Sequence, residues 1–153
     1  MMKDNYIVFQ VAGTTYALPS AEVAHVELVE NVTRVPNAPH YVDGVVFSRG
    51  VVVPALNMRA RFGFEPAPYD SRTRLIVVQR DARHLGLIVD SAREFTNIAD
   101  ELVQPPGEGL AAMSGHYLRG IATVGDRMIF ILDLATLLAT TDVADGEDAT
   151  VSR

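Results

Sequence analysis

A short pattern that occurs twice limits what this chain can fold into. Tyr41-Val42-Asp43-Gly44-Val45 in the first half is echoed by Tyr117-Leu118-Arg119-Gly120-Ile121, an offset of 76 positions from 41 to 117. At the same offset Leu56-Asn57-Met58 falls on Leu132-Asp133-Leu134, so a Tyr-Xaa-Xaa-Gly strand, a turn and an apolar strand ending in Leu-Asx recur together. Upstream, Ile7-Val8-Phe9-Gln10 matches Ile76-Val77-Val78-Gln79 at an offset of 69, which also puts Tyr16-Ala17-Leu18 on Leu85-Gly86-Leu87 and Pro36 on Pro105. The difference of 7 between the offsets locates an insertion between Pro106 and Tyr117, where Gly107, Gly109, Ser114 and Gly115 read as loop. Each copy, of roughly 65 to 75 residues, is at the size where a single core is marginal by itself. The two copies should therefore pack together and leave a groove between them.

The repeated unit is a β unit. Tyr6 to Val11 is a β-branched and aromatic run, and the turn signal Gly13-Thr14 followed by Tyr16-Ala17-Leu18 completes a hairpin. Similar runs follow at Val42 to Phe47, Val51 to Leu56, Leu75 to Gln79, Leu85 to Val89, Leu118 to Val124 and Met128 to Leu132, with Gly, Pro or Asp in most gaps. Short strands at this density predict barrels or a sandwich. Helical signals are brief: Met58 to Phe62 ended by Gly63, Ala21 to Leu28, and Leu134 to Ala139 after the capping residue Asp133. From position 140 the sequence TTDVADGEDATVSR is acidic and nearly free of large apolar groups, so it is expected to form a frayed, flexible tail over 140–153.

Charge and composition then remove whole classes of function. A formal charge of −6 lacks the cationic footprint that phosphate contacts need, so no nucleic-acid partner is expected. With no cysteine there is no disulfide framework, thiolate metal site or cysteine nucleophile. No apolar run approaches the roughly 20 residues that span a bilayer, which predicts a soluble cytoplasmic protein without membrane insertion. His25, His40, His84 and His116 show no metal-ligand spacing, and no Gly-Xaa-Ser-Xaa-Gly elbow exists. Gly107-Glu108-Gly109-Leu110-Ala111-Ala112 fits a dinucleotide fingerprint superficially, but Pro105-Pro106 stands where a strand is required. No cofactor and no metal are expected, and the chain reads as non-enzymatic.

The stretch YVDGVVFSRGVVVPALNMRARFG at Tyr41 to Gly63 resembles the signature of CheW-like domains, which runs through Asn-Leu-Arg-Gly, an apolar strand containing Pro, Asp-Leu-Arg and a Phe-Gly close. TRVPNAP at Thr33 to Pro39, LIVVQ and LGLIVD within Leu75 to Asp90, Pro105-Pro106, and YLRGIATVGDRMIFILDL at Tyr117 to Leu134 agree with it. The resemblance covers about residues 6 to 139. It implies a mainly β fold of two pseudo-symmetric, five-stranded, Src-homology-like β-barrels with short helices. These form one CheW-like domain over 6–139, its first copy at about 6–63 and its second at about 72–139. It further implies a non-catalytic adaptor that couples the cytoplasmic tip of methyl-accepting chemoreceptors to the regulatory domain of a CheA-type histidine kinase, recruited to membrane-associated receptor arrays. A paralogue serving type IV pili, gliding or another non-flagellar output is the alternative. A small β-barrel ligand-binding protein or enzyme, a more remote one, would need converging polar groups in a pocket.

By the same resemblance the receptor groove and partner-binding face comprise Val23, His25, Gly44, Phe47, Arg49 and Gly50, while Arg59, Arg61 and Gly120 are kinase-facing or structural. Each position also has a plainer reading. Arg49 could brace its turn internally, and Gly44 and Gly120 occupy equivalent repeat positions that call for a bulge or a close backbone approach. Arg59, Arg61, Arg72 and Arg74 form a basic cluster that could equally be a solvated face. The chain departs from the family pattern where Phe47-Ser48-Arg49-Gly50 replaces Asn-Leu-Arg-Gly, Asn57 replaces the usual Asp, and His25 stands where coupling proteins often carry Glu. A neutral Asn57 cannot accept a charge-assisted bidentate pair.

Overall fold

The computed structural model describes residues 3–113 and 117–139, so the expected tail over 140–153 and His116 lie outside the described residues. Eleven strands among the described residues form two sheets. The first has the order β8 (Ser91–Ala99), β1 (Lys3–Val11), β2 (Thr14–Pro19), β11 (Arg127–Leu132), β10 (Leu118–Val124), β9 (Val103–Gln104). The second has the order β3 (Val23–Leu28), β6 (Arg74–Arg80), β7 (Arg83–Val89), β5 (Val51–Asn57), β4 (Val42–Ser48). The α-helices among the described residues are short: α1 (Met58–Arg61), α2 (Glu108–Met113) and α3 (Leu134–Ala139). The fold is mainly β, as expected, but the ladders leave both sheets open rather than closing them into barrels, and the first sheet gains the two-residue β9.

The repeat reappears in the pairing registers. The parallel pair Ala17–Ile131 in the first sheet has its counterpart in Gly86–Ala55 in the second, and Phe9–Ala92 has its counterpart in Val78–Val23. Val42–Leu56 and Gly44–Ala55 become Leu118–Leu132 and Gly120–Ile131, each pair interrupted by the same bulge. Each sheet mixes the two halves: β3 and β5, from the first half, pair with β6 and β7 of the second, and β8 and β11, from the second, pair with β1 and β2.

This topology explains why Tyr6 to Phe9 and Leu75 to Val78 are apolar without alternation, since both faces of β1 and β6 are buried. Ile7, Phe9, Ile76 and Val78 point into a central cluster that fills the space between the sheets and includes Leu18, Leu56, Leu87 and Leu132. Their neighbours point the other way, Tyr6 and Val8 into a cluster private to the first sheet, Leu75 and Val77 into one private to the second.

Two local expectations are corrected, and one strand is added. Val23 to Leu28, read as part of a helix, is the edge strand β3, preceded by a single 3-10 turn at Ser20–Glu22. Its i, i+3 apolar spacing was overridden by pairing with β6, to which β-branched Val23 and Val26 are suited. Glu108 to Met113, read as loop on its glycines, is helical, because Leu110, Ala111, Ala112 and Met113 are good helix formers once Gly107 has turned the chain at φ +79°. β8 had no sequence expectation, because Ser91 to Ala99 interrupts its apolar residues with Arg93-Glu94 and Asn97.

Candidate partner-binding face

The β4–β5 hairpin carries large apolar residues on its exposed end. Its two-residue loop is Arg49-Gly50, with φ +50° and +84°, as a type I′ turn requires, and the ladder closes at Ser48–Val51. Gly50 therefore supplies backbone freedom, and Arg49 is held outward at the tip. Both are exposed, and among the described residues Arg49 has no hydrogen-bond or ion-pair partner. The bracing reading of Arg49 receives no support from these contacts. Just inside the turn, Phe47 and Val52 face each other across the strands and are 73% and 57% exposed.

Facing this hairpin is the opposite edge of the same sheet. β3 and β4 share no ladder, yet Ser48 Oγ, almost fully buried, donates to Glu27 Oε2 at 2.6 Å. His25 Nε2 lies 2.9 Å from the same Oγ and 2.5 Å from Glu27 Oε2. Side chains thus close the seam that the backbone leaves open. The three residue types could suggest a nucleophile relay, but Ser and carboxylate share one ring nitrogen, so among the described residues no carboxylate orients the imidazole from Nδ1 as such chemistry needs. With an oxygen acceptor on each side, Nε2 is the protonated nitrogen in this arrangement.

Gly44 and Gly120 serve the backbone. A Cβ on Gly44, at φ +152°, would lie 2.1 Å from the Thr33 carbonyl oxygen, where Thr33 and Val45 exchange two backbone hydrogen bonds of 2.8 and 2.9 Å. A Cβ on Gly120 would meet Val103 Cγ1 at 2.7 Å, in the corresponding crossing of β9 over β10.

Arg59 and Arg61 work inside the fold. Arg59 grips Asp90 through Nε (3.0 Å) and Nη2 (2.7 Å) and reaches the Glu65 carbonyl through Nη1 (2.9 Å). Asp90 also accepts from the Ala12 amide at 2.8 Å. Burial pushes the Asp90 carboxyl upward, but the bonds from Arg59 and Ala12 together with the Arg59 charge outweigh it and hold it below the usual range. The Arg61 guanidinium lies between the repeat-equivalent tyrosines, 5.5 Å from the Tyr41 ring and 5.7 Å from the Tyr117 ring. The next residue, Phe62, stacks on Tyr117 at 4.9 Å and approaches Tyr16 at 5.1 Å, so α1 fastens the second sheet to the first.

Asn57 caps α1, accepting from the Ala60 amide at 3.2 Å as Asp133 accepts from Thr136 at 3.2 Å in α3. Its Nδ2 donates to Asp43 Oδ2 at 3.0 Å, an oxygen that also accepts from the Tyr69 hydroxyl. The amide at 57 therefore supplies a donor that a carboxylate could not.

Of the sequence-named residues, the structure gathers His25, Phe47, Arg49 and Gly50 around the seam and hairpin, with Val23 at the start of β3. Gly44 lies toward the other end of β4, Arg59 and Arg61 lie on the inter-sheet helix, and Gly120 lies in the other sheet. Sequence reasoning missed Glu27, Ser48, Asp90 and the Tyr41–Arg61–Tyr117 sandwich. A polar Ser48 where an apolar residue is usual was the available signal for the seam.

Duplicated open sheets, internally braced and presenting an apolar hairpin beside a polar seam, define a β module that acts through the surfaces it offers other proteins. A family model described as the CheW-like domain matches residues 5–142, and the chain belongs to that family, one of non-catalytic scaffolds. It is 28% identical over 139 residues to "Chemotaxis protein CheW" of Klebsiella aerogenes, covering 91% of this chain and 84% of that one. It is 27% identical over 139 residues to "Protein FrzA" of Myxococcus xanthus, covering 90% and 87%. The crystal structure of scaffolding protein TtCheW from Thermoanaerobacter tengcongensis superposes with a TM-score of 0.77 at 28% identity, covering 86% of this chain and 89% of that one.

Proposed function

We propose that this chain is the coupling scaffold of a bacterial chemosensory complex, holding the cytoplasmic tip of a methyl-accepting receptor against the regulatory domain of a CheA-type histidine kinase. It performs no covalent chemistry, and it works in the cytoplasm at membrane-associated arrays. The family match over residues 5–142 carries the reading. The exposed Phe47–Val52 pair and the unpartnered Arg49 supply the kind of surface such a role needs. Val23, His25, Gly44, Phe47, Arg49 and Gly50 belong to the partner face in this reading, and Arg59, Arg61 and Gly120 to the framework behind it. Residues 6–139 act as one domain.

Co-sedimentation with receptor arrays and kinase tests the role, and absence of binding to both at micromolar concentration refutes it. Arg49→Glu is expected to weaken partner binding about tenfold without lowering the melting temperature. Unfolding without a selective binding loss would make Arg49 a brace instead. A second reading, an adaptor of a pathway other than flagellar chemotaxis, is favoured by the likeness to a relative named outside the CheW series. Exchanging cognate kinases in the same assay separates the two.

A further inference from the structure

Between the β3–β4 seam and the exposed hairpin lies a slot of about 490 Å³. Val45, Phe47 and Val52 form apolar lining, and Glu27 and Glu30 add carboxylates. Glu27 is already oriented: Oε2 is fixed by Ser48 and His25, whereas Oε1 has no hydrogen-bond partner among the described residues. Glu30 is exposed and likewise has no partner there. Arg34 and Arg49, the arginines nearest to it in sequence, are not among the lining residues. The slot thus joins an apolar wall, wet on its outer side, to two carboxylates with acceptor capacity to spare.

We propose that this slot receives a Lys or Arg side chain of the receptor tip, flanked on the same face by an apolar residue that seats on Phe47 and Val52; the assignment rests on the coupling reading above. A long basic side chain is the matching chemistry, because its aliphatic stem covers apolar surface while its head makes charge-assisted hydrogen bonds to carboxylates. An acidic or wholly apolar side chain would leave Glu27 and Glu30 repelled or desolvated without compensation. The seam has a role in this: by fixing Oε2 it holds Glu27 ready before the partner arrives.

The test is titration of a cytoplasmic-tip fragment of a methyl-accepting receptor from the same genome against wild type, Glu30→Lys, Glu27→Gln and Phe47→Ser, at low and high salt. Glu30→Lys is expected to weaken binding about tenfold at low salt, with the gap shrinking at high salt, and to leave the melting temperature unchanged because Glu30 is exposed. Glu27→Gln keeps an acceptor for Ser48 and should weaken binding severalfold, and Phe47→Ser should weaken it independently of salt. Wild-type binding that Glu30→Lys and Glu27→Gln leave within twofold, or tighten, overturns the slot while leaving the coupling role standing. Failure of the wild type to bind the fragment overturns the receptor-coupling reading and the slot with it.

Discussion

Gly44→Ala should be far more damaging than Gly120→Ala, although the two glycines occupy the same place in the repeat. A Cβ at 44 would lie 2.1 Å from the Thr33 oxygen and 2.7 Å from its carbonyl carbon, both backbone atoms that can move only by separating the strands. Separation breaks the two Thr33–Val45 bonds, worth about 1 kcal/mol each. A side chain at φ +152° adds about 1–3 kcal/mol of backbone strain. The total is about 4 kcal/mol, which at roughly 2–4 °C per kcal/mol for a chain of this size lowers the melting temperature by about 10 °C. At Gly120 the first obstacle is a Val103 methyl at 2.7 Å, the nearest backbone atom, the Gln104 oxygen, stands at 3.1 Å, and φ is not positive, so about 1–2 kcal/mol is expected. Gly63→Ala, in open space at φ +80°, isolates the strain alone. Thermal and urea denaturation of the three variants decide the matter. A Gly44→Ala protein melting within 2 °C of wild type, or a more damaged Gly120→Ala, would refute the reasoning.

Asn57→Asp places a carboxylate where Nδ2 now donates to Asp43, and should destabilise by about 1–2 kcal/mol at neutral pH, with Asp43→Asn restoring most of the loss in a double-mutant cycle by denaturation. Arg59→Met should cost about 1–2 kcal/mol, discounted for the partial exposure of its pair with Asp90. Because the folded Asp90 carboxyl lies below its ordinary value, that stabilisation is present at neutral pH and is lost as pH falls through the folded pKa, so the two unfolding curves should converge in acid. Glu22 behaves oppositely: burial raises its carboxyl despite Arg119 and Arg80, and among the described residues its buried Oε1 has no hydrogen-bond partner. Its favourable contribution exists at low pH and is lost as pH rises through the raised folded pKa, so Glu22→Gln should stabilise the protein at pH 7 more than at pH 4 in calorimetry.

Much of the framework could be read along the chain because it is written in local terms. Runs such as Tyr6 to Val11 and Leu118 to Val124 carry their strand character in their own residues, and the 69 and 76 offsets reappear as pairing registers because side-chain facing and turn placement travel with the repeated sequence. Non-local partnerships were not legible. That β3 leaves its own half for β6 turned an apparent helix into a strand. That Ser48 and Glu27 meet depends on two sheet edges curling toward each other, which no spacing encodes. Asn57 shows the limit most plainly: as a lost carboxylate it reads as a defect, whereas beside Asp43 it is the donor that lets two neighbouring side chains coexist.

The mixing of the two halves in each sheet has a consequence for inheritance. Neither half of this molecule owns a complete lobe, since β1 and β2 share a sheet with β8 to β11, and β6 and β7 share one with β3 to β5. Recombination between relatives at the midpoint of the gene would therefore not shuffle one intact lobe against another; it would force both sheets to be rebuilt between foreign halves. A cut between the two copies would leave both sheets short of strands, so neither copy is expected to fold as a working part by itself.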